Sequence, residues 1–221
     1  MNLSEYPRYN NNKMSETIFS KINLSCSLDA ATINHTLNCI LNTCCQLSKD
    51  RGYTHVNVYE PHQACIQQSP VIKANNDNGE EFLIFWHNED RVGIKFIRQI
   101  DELQTKNQRN VLLVSLEGPT AFSKKECDSR PWLQLLTYKE LYFNVSHHNL
   151  VPPHRKLTNE EKVDLRKRFS LSDADPNKVE LPKMLVTDAI SKYYKYERGD
   201  FIEITRTAGT LESVKTYRVV I

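Results

Sequence analysis

Apolar residues recur at spacings of three and four along Ala30, Ile33, Leu37, Ile40, Leu41, Cys44 and Leu47, the stripe of one amphipathic helix. Asp29 or Ser27 can cap its start, and Gly52 can take the left-handed conformation that closes it after Lys49-Asp50-Arg51. The pattern then turns alternating over Thr54 to Tyr59, a β-branched run that predicts a strand. Residues 60–80 hold Pro61, Pro70 and the run Asn75-Asn76-Asp77-Asn78-Gly79, and read as a loop closed by a turn. Three apolar stretches follow: Phe82 to His87, Val92 to Ile97, and Asn110 to Leu116. Asn88 to Arg91 is short enough for a hairpin between the first two, while Gln99 to Gln108 predicts a short helix crossing over to the third. Glu117 to Lys125 reads as a turn at the edge of the resulting small mixed sheet. Leu133 to Thr137 and Leu141 to Val145 predict two more strands, which complete a domain over residues 27–145.

The consecutive Pro152 and Pro153 block both helix and central strand, so the domain boundary is expected there, with a second domain over 146–221. Thr158-Asn159-Glu160-Glu161 is a capping box, backed by a helix face of Val163, Leu165 and Phe169. Beyond it the pattern predicts an extended piece (Lys183 to Val186), a helix over Asp188 to Tyr194 capped by Thr187, and a turn at Arg198-Gly199-Asp200. Phe201 to Arg206 and Val214 to Ile221 predict an antiparallel hairpin with Gly209 in the bend. Residues 1–26 are polar, Asn-rich and without period, and read as a flexible extension. The fold class expected is α+β.

Composition narrows the functions available. Of 221 residues, 39% are apolar and 25% charged, enough to bury one or two cores. The longest apolar runs, such as Phe82 to Trp86, fall far short of the roughly 20 residues that cross a bilayer. Without an apolar export leader the chain is expected to stay intracellular, off the membrane, with its six cysteines as thiols. Residues 1–145 carry 15 Lys and Arg against 16 Asp and Glu, and residues 146–221 carry 14 against 11. Neither half is basic enough for strong autonomous nucleic-acid binding, which rests on phosphate neutralisation, so any DNA contact is expected to be local and weak.

Candidate chemistry is sparse. His147, His148 and His154 lie on an extended stretch where neighbours point to opposite sides, with no carboxylate or cysteine at ligand spacing. No Cys-x-x-Cys pair and no Gly-rich phosphate loop occurs, so neither metal nor cofactor is expected. Tyr193, Tyr194 and Tyr196 beside Lys192, Lys195 and Arg198 form a basic aromatic cluster, better suited to core or interface packing than to nucleic acid. The enzymatic alternative is a metal-dependent nuclease on a restriction-endonuclease-like fold. It needs an acid two residues before a strand lysine, whereas Lys95 is preceded at that offset by Gly93.

Longer motifs are more specific. They are His147-His148-x-Leu150-Val151-Pro152-x-His154, then Leu181-Pro182, then Tyr193 or Tyr194 followed by Arg198-Gly199-Asp200-x-Ile202-x-Ile204-x-Arg206, and last Thr216-Tyr217-Arg218. With them, the chain from Glu140 onward resembles the assembly domain of the fifth subunit shared by eukaryotic nuclear RNA polymerases, a domain with an archaeal polymerase counterpart. Lys49-Asp50-Arg51-Gly52-Tyr53, Val92-Gly93-Ile94-Lys95, and Asn110 to Val114 ahead of Gly118-Pro119-Thr120-Ala121 look like that family's eukaryotic jaw domain.

The resemblance implies a non-catalytic subunit of DNA-dependent RNA polymerase. It would have an N-terminal jaw domain, built on a small mixed sheet flanked by helices, and a smaller C-terminal α/β assembly domain ending in an antiparallel hairpin. The jaw would form part of the lower jaw near downstream duplex DNA. The second domain would dock on the largest subunit and the small sixth common subunit, with His147, His148, Arg198, Tyr217 and Arg218 as interface candidates. Pro119, Thr120 and Ala121 would approach the DNA, with the Thr120 hydroxyl and the Lys124 and Lys125 charges directed at phosphate. The plain alternative is an exposed turn with two ordinary lysines. Thr187-Asp188 in place of the family's Asp-Pro, and Lys195-Tyr196-Glu197 after Tyr194, mark a divergent lineage, a viral homologue or a paralogue assigned to one polymerase class. The expected compartment is the nucleus, or the host cytoplasm or virion for a viral member.

Overall fold

The computed structural model describes residues 30–59, 70–87, 91–104, 109–171, 176–207 and 213–221. The expected extension over 1–26, the caps Asp29 and Ser27, Cys26, Cys65, Pro61, the Asn88 to Asp90 link and the Gly209 bend lie outside the described residues. The fold is α+β, in two compact units, Met1–Phe143 and Asn144–Ile221.

In the first unit the amphipathic stripe forms α1 (Ala30–Asp50), which buries Leu37, Ile40, Cys44 and Leu47. Gly52, at φ +90°, ends it by donating to the Lys49 carbonyl at 2.9 Å. Strands β1 (His55–Val58), β2 (Ile72–Asn75), β3 (Glu81–His87), β4 (Asn110–Ser115) and β5 (Leu133–Thr137) lie side by side in that order. The first two pairings are antiparallel and the last two parallel. The parallel pairings are made by α2 (Ile94–Gln104) between β3 and β4, and by α3 (Ala121–Asp128) between β4 and β5. Both helices cover one face, where Phe96, Ile97, Ile100 and Cys127 pack on Leu83, Phe85, Val111 and Leu113. The alternating set Phe82, Ile84 and Trp86 fills the other face, with Tyr53 stacked on Phe82 at 5.0 Å and Tyr138 against Trp86 at 5.8 Å. Burial on both sides explains why β3 and β4 read as unbroken apolar runs.

Four expectations are corrected in this unit. Val92 to Ile97 is not a strand hairpinned to β3. Val92, Phe96, Ile97 and Ile100 are buried at helical spacing while Lys95 is exposed, and the crossover helix therefore starts at Ile94. The loop over 60–80 contains β2, whose four residues carry only two buried side chains. Glu117 to Lys125 is not a turn at the sheet edge, since β4 lies between β3 and β5 and α3 begins at Ala121. The polar face of α3 hid it, because only Ser123 and Cys127 are buried. Leu141 to Val145 is not a strand either. A capping box between Thr137 and Glu140 starts the short helix α4 (Tyr138–Leu141) directly after β5.

The second unit opens with a 3₁₀ turn, Val145–His147. Its strands β6 (His154–Lys156), β7 (Lys183–Met184), β8 (Phe201–Thr207) and β9 (Ser213–Val220) take the order β6-β8-β9-β7. The β8–β9 hairpin is antiparallel as expected, while β7 joins β9 in parallel. Strand β6 begins at the residue after Pro153, and its place at the sheet edge is where prolines nearby are tolerated. Helix α5 (Asn159–Arg168) carries the expected box, with the Thr158 hydroxyl accepting from the Glu161 amide and Glu161 reaching back. Helix α6 (Ala189–Tyr194) is capped by Asp188, one residue later than expected, which accepts from the Ile190 amide at 2.9 Å. One sheet face packs Ile202, Ile204, Val220, Met184, Ile190 and Tyr196, and the other packs Phe201, Val219, Leu157, Leu165 and Val179. Among the described residues no helix is long and apolar enough to cross a membrane.

Candidate nucleic-acid and subunit interfaces

The turn singled out for DNA contact follows the end of β4. The Ser115 hydroxyl donates to the Glu117 carbonyl at 2.5 Å, and the Glu117 carboxylate pairs with Arg91 at 3.1 Å. Pro119 is half-buried. Thr120 is the N-cap of α3: its hydroxyl oxygen accepts from the Ser123 amide at 3.3 Å and shares a hydrogen bond with the buried Ser123 hydroxyl at 2.7 Å. The atom expected to face phosphate is thus already engaged in holding the helix. Ala121, Lys124 and Lys125 are exposed.

Beside this turn lies a cleft of about 400 Å³, lined by His87, Lys95, Phe96, Gln99, Thr120 and Phe122 among others. Its deep side is the buried pair His87 and Phe96, with ring centroids 4.5 Å apart. Its mouth carries exposed Lys95 and Gln99, and Phe122, which is 73% exposed. One acid of each helix is engaged by arginine: Arg130 holds Asp101 through both carboxylate oxygens and Glu126 at 2.6 Å. These bonds hold the Arg130 guanidinium above its ordinary pKa. The sequence singles out Lys95 as a nuclease lysine and as part of the Val92-Gly93-Ile94-Lys95 motif, and gives Phe122 no role. The first sits on a helix rather than a strand, and no group of three or more His, Cys, Asp or Glu able to hold a metal occurs among the described residues.

The interface candidates scatter over the second unit. His147 and His148 are exposed, and His148 accepts from the Leu150 amide at 3.2 Å. Leu150 is 85% exposed. His154 is half-buried, donating from Nδ1 to the Pro152 carbonyl at 2.6 Å, and burial lowers its pKa. Arg198 is exposed in the turn closed by Gly199 at φ +89°. Tyr217 and Arg218 are neighbours on β9, so they face opposite sides of the sheet. Arg218, with Arg206, acts on His154. Tyr217 meets Phe169 at 6.1 Å and its hydroxyl donates to Glu203 at 3.4 Å.

Glu203, a buried carboxylate on β8, was not foreseen. It takes Arg155 at 3.2 Å and Lys215 at 3.3 Å, and Arg155 also clamps Glu161. Burial pushes the Glu203 carboxyl up, but the Arg155 and Lys215 bonds outweigh it and hold the group below the usual carboxylate range. The tyrosine cluster is core: Tyr193 and Tyr196 are buried, Tyr194 stacks on Tyr196 at 5.4 Å, and Asn144 donates to the Tyr193 hydroxyl at 2.8 Å. Cys44, Cys45 and Cys127 are buried, and burial raises their thiols, Cys45 and Cys127 to about 11, so they stay protonated.

Comparison with known proteins bears on both units. The family model for RNA polymerase Rpb5, C-terminal domain, matches residues 143–220. Subunit RPABC1 of DNA-directed RNA polymerases I, II, and III from Caenorhabditis briggsae is 30% identical over 155 residues, covering 68% of this chain and 71% of that protein. The same subunit from Dictyostelium discoideum is 26% identical over 199 residues, covering 85% of this chain and 98% of that protein. The DNA-directed RNA polymerase subunit 5-like protein 1 of Arabidopsis thaliana is 24% identical over 199 residues, covering 81% and 92%. Among solved structures, a Type ISP restriction-modification enzyme bound to DNA superposes with a TM-score of 0.37 at 15% identity, over 76% of this chain and 11% of that one, too loosely to carry an argument.

Proposed function

The chain belongs to the RNA polymerase Rpb5 family, and from that membership we infer how it works as a non-catalytic subunit of DNA-directed RNA polymerase. The observation that carries the reading is the family match over 143–220, which coincides with the compact unit Asn144–Ile221. In this proposal the second unit is the assembly domain, docking on the largest subunit and the small sixth common subunit. His147, His148, Arg198 and Arg218 serve as contacts there. Tyr217 contributes mainly by packing, because its ring and hydroxyl are both occupied within the unit. The first unit is the jaw near downstream duplex. Its grip is electrostatic and blind to sequence, made by Lys124 and Lys125 on the open side of α3 with Pro119 and Ala121 as backbone spacers. The compartment is the nucleus.

Two experiments test the proposal. Tagged full-length chain purified from its cells should bring polymerase subunits with it, identified by mass spectrometry; recovery as a free monomer without them refutes the reading. In the assembled polymerase, Lys124→Ala with Lys125→Ala should reduce the salt slope of downstream-duplex retention by about 1.8, or about 0.9 for each phosphate left without its lysine. An unchanged slope removes the DNA contact and leaves the assembly role standing.

A further inference from the structure

Resting on the polymerase reading above, we propose that the cleft between the first turns of α2 and α3 is a second seat for the DNA backbone. In it Lys95 takes a phosphate and Phe122 packs on the adjoining deoxyribose. A phenylalanine left 73% exposed contributes little to the fold, since its burial value is realised only when water leaves the ring. Its place at the mouth of a cleft of about 400 Å³, opposite an exposed lysine, gives it something to cover. The sugar-phosphate chain alternates an apolar ring with an anion, and the mouth presents an apolar ring and a cation to match. The deep side does not yield, because His87 and Phe96 are both buried and packed ring to ring at 4.5 Å.

Charge favours an anion over a neutral apolar peptide. Asp101 and Glu126 are consumed by Arg130, and Glu117 by Arg91, so these acids do not offset Lys95. The seat is also continuous with the lysines of the first proposed contact. Lys125 follows Phe122 by three residues and lies one turn further along the same side of α3. One backbone strand can therefore run from the cleft to Lys125.

The test uses assembled polymerase carrying variants of this subunit and measures retention of a downstream duplex across a salt series. Lys95→Ala should reduce the slope by about 0.9, and Lys95→Arg should restore it. Phe122→Ala should weaken retention roughly fivefold at every salt concentration, with the slope unchanged, as expected when only apolar packing is removed. Both residues are exposed, so unchanged thermal melting of the free chain shows that the fold is intact. If Lys124→Ala with Lys125→Ala changes the slope while Lys95→Ala and Phe122→Ala do nothing, the cleft is not a seat and the first contact stands. If none of these variants matters, both fall. If Phe122→Ala keeps DNA retention but drops a polypeptide from the complex, the cleft holds protein and the proposal is overturned.

Discussion

Thr120 is where the structure and the family resemblance ask different things of one hydroxyl, and substitutions can separate them. Thr120→Ala removes the acceptor for the Ser123 amide, a cap bond that at 3.3 Å is long and belongs at the weaker end of the roughly 0.5–2 kcal/mol range for such losses. It also strands the buried Ser123 hydroxyl, whose 2.7 Å partner disappears, at a cost of about 1 kcal/mol or more. Together these give about 1–2 kcal/mol, which lowers the Tm of the unit by roughly 3–8 °C. Thr120→Ser should melt with the parent. Thr120→Asp should cap α3 as well as threonine does, yet place a negative charge where a phosphate is proposed to pass. Calorimetry of the free chain and duplex retention by the assembled polymerase should therefore give opposite orders: alanine is unstable, whereas aspartate is stable but weak on DNA. Melting of Thr120→Ala at the parent temperature would refute the capping argument. Full DNA retention by Thr120→Asp would refute the proximity of this turn to phosphate.

The second unit should lose stability in acid. Glu203 is held below the usual carboxylate range and Glu161 at about 2, both through Arg155, so their contribution is fully present above the unfolded carboxyl value of about 4.3 and is lost as pH falls through the folded values. Urea unfolding at steps between pH 5 and about 2 should show stability falling with pH, and Arg155→Gln should flatten that fall; an equal dependence in the variant sinks the assignment. Truncation before Val214 should abolish co-purification with polymerase subunits, because β9 lies between β8 and β7, so β7 loses its only partner and β8 one of its two; retained co-purification would place the assembly surface elsewhere.

Periodicity carried the elements whose burial is one-sided or complete. The stripe of α1, the runs of β3 and β4 and the β8–β9 hairpin lie where the pattern puts them. It failed where the pattern was short or shared. Val92-Gly93-Ile94-Lys95-Phe96-Ile97 satisfies alternation as well as helical spacing, and only the parallel pairing of β3 with β4, which demands a crossover, decides between them. Helix α3 shows two buried positions in eight residues, too few to register as a stripe. The candidate DNA-facing residues came from the family resemblance around Pro119, not from any local property of the residues, and they stand as a proposal. Neither the cleft nor the Glu203 cluster was legible, because each joins side chains far apart in sequence: Lys95 with Phe122, and Arg155 with Glu203 and Lys215.

That distinction bears on how a weakly charged chain could serve the proposed contact with DNA. With 15 basic against 16 acidic residues, the first 145 positions offer no field that would draw duplex on its own. What the fold does is sort the charges. Arginines Arg91 and Arg130 are committed to Glu117, Asp101 and Glu126, while Lys95, Lys124 and Lys125 stay on the open side of α2 and α3. Internal pairing thus removes three of the acids nearest these lysines, leaving Asp128 on α3 as an exposed offset beside Lys124 and Lys125. An edge of three lysines gives at most a salt slope of about 2.7, too shallow to hold duplex alone at physiological salt, so the proposed contact needs a larger assembly that already holds the duplex. The free chain should accordingly show no measurable duplex binding at about 150 mM salt, and tight binding by the isolated subunit would contradict this division of labour.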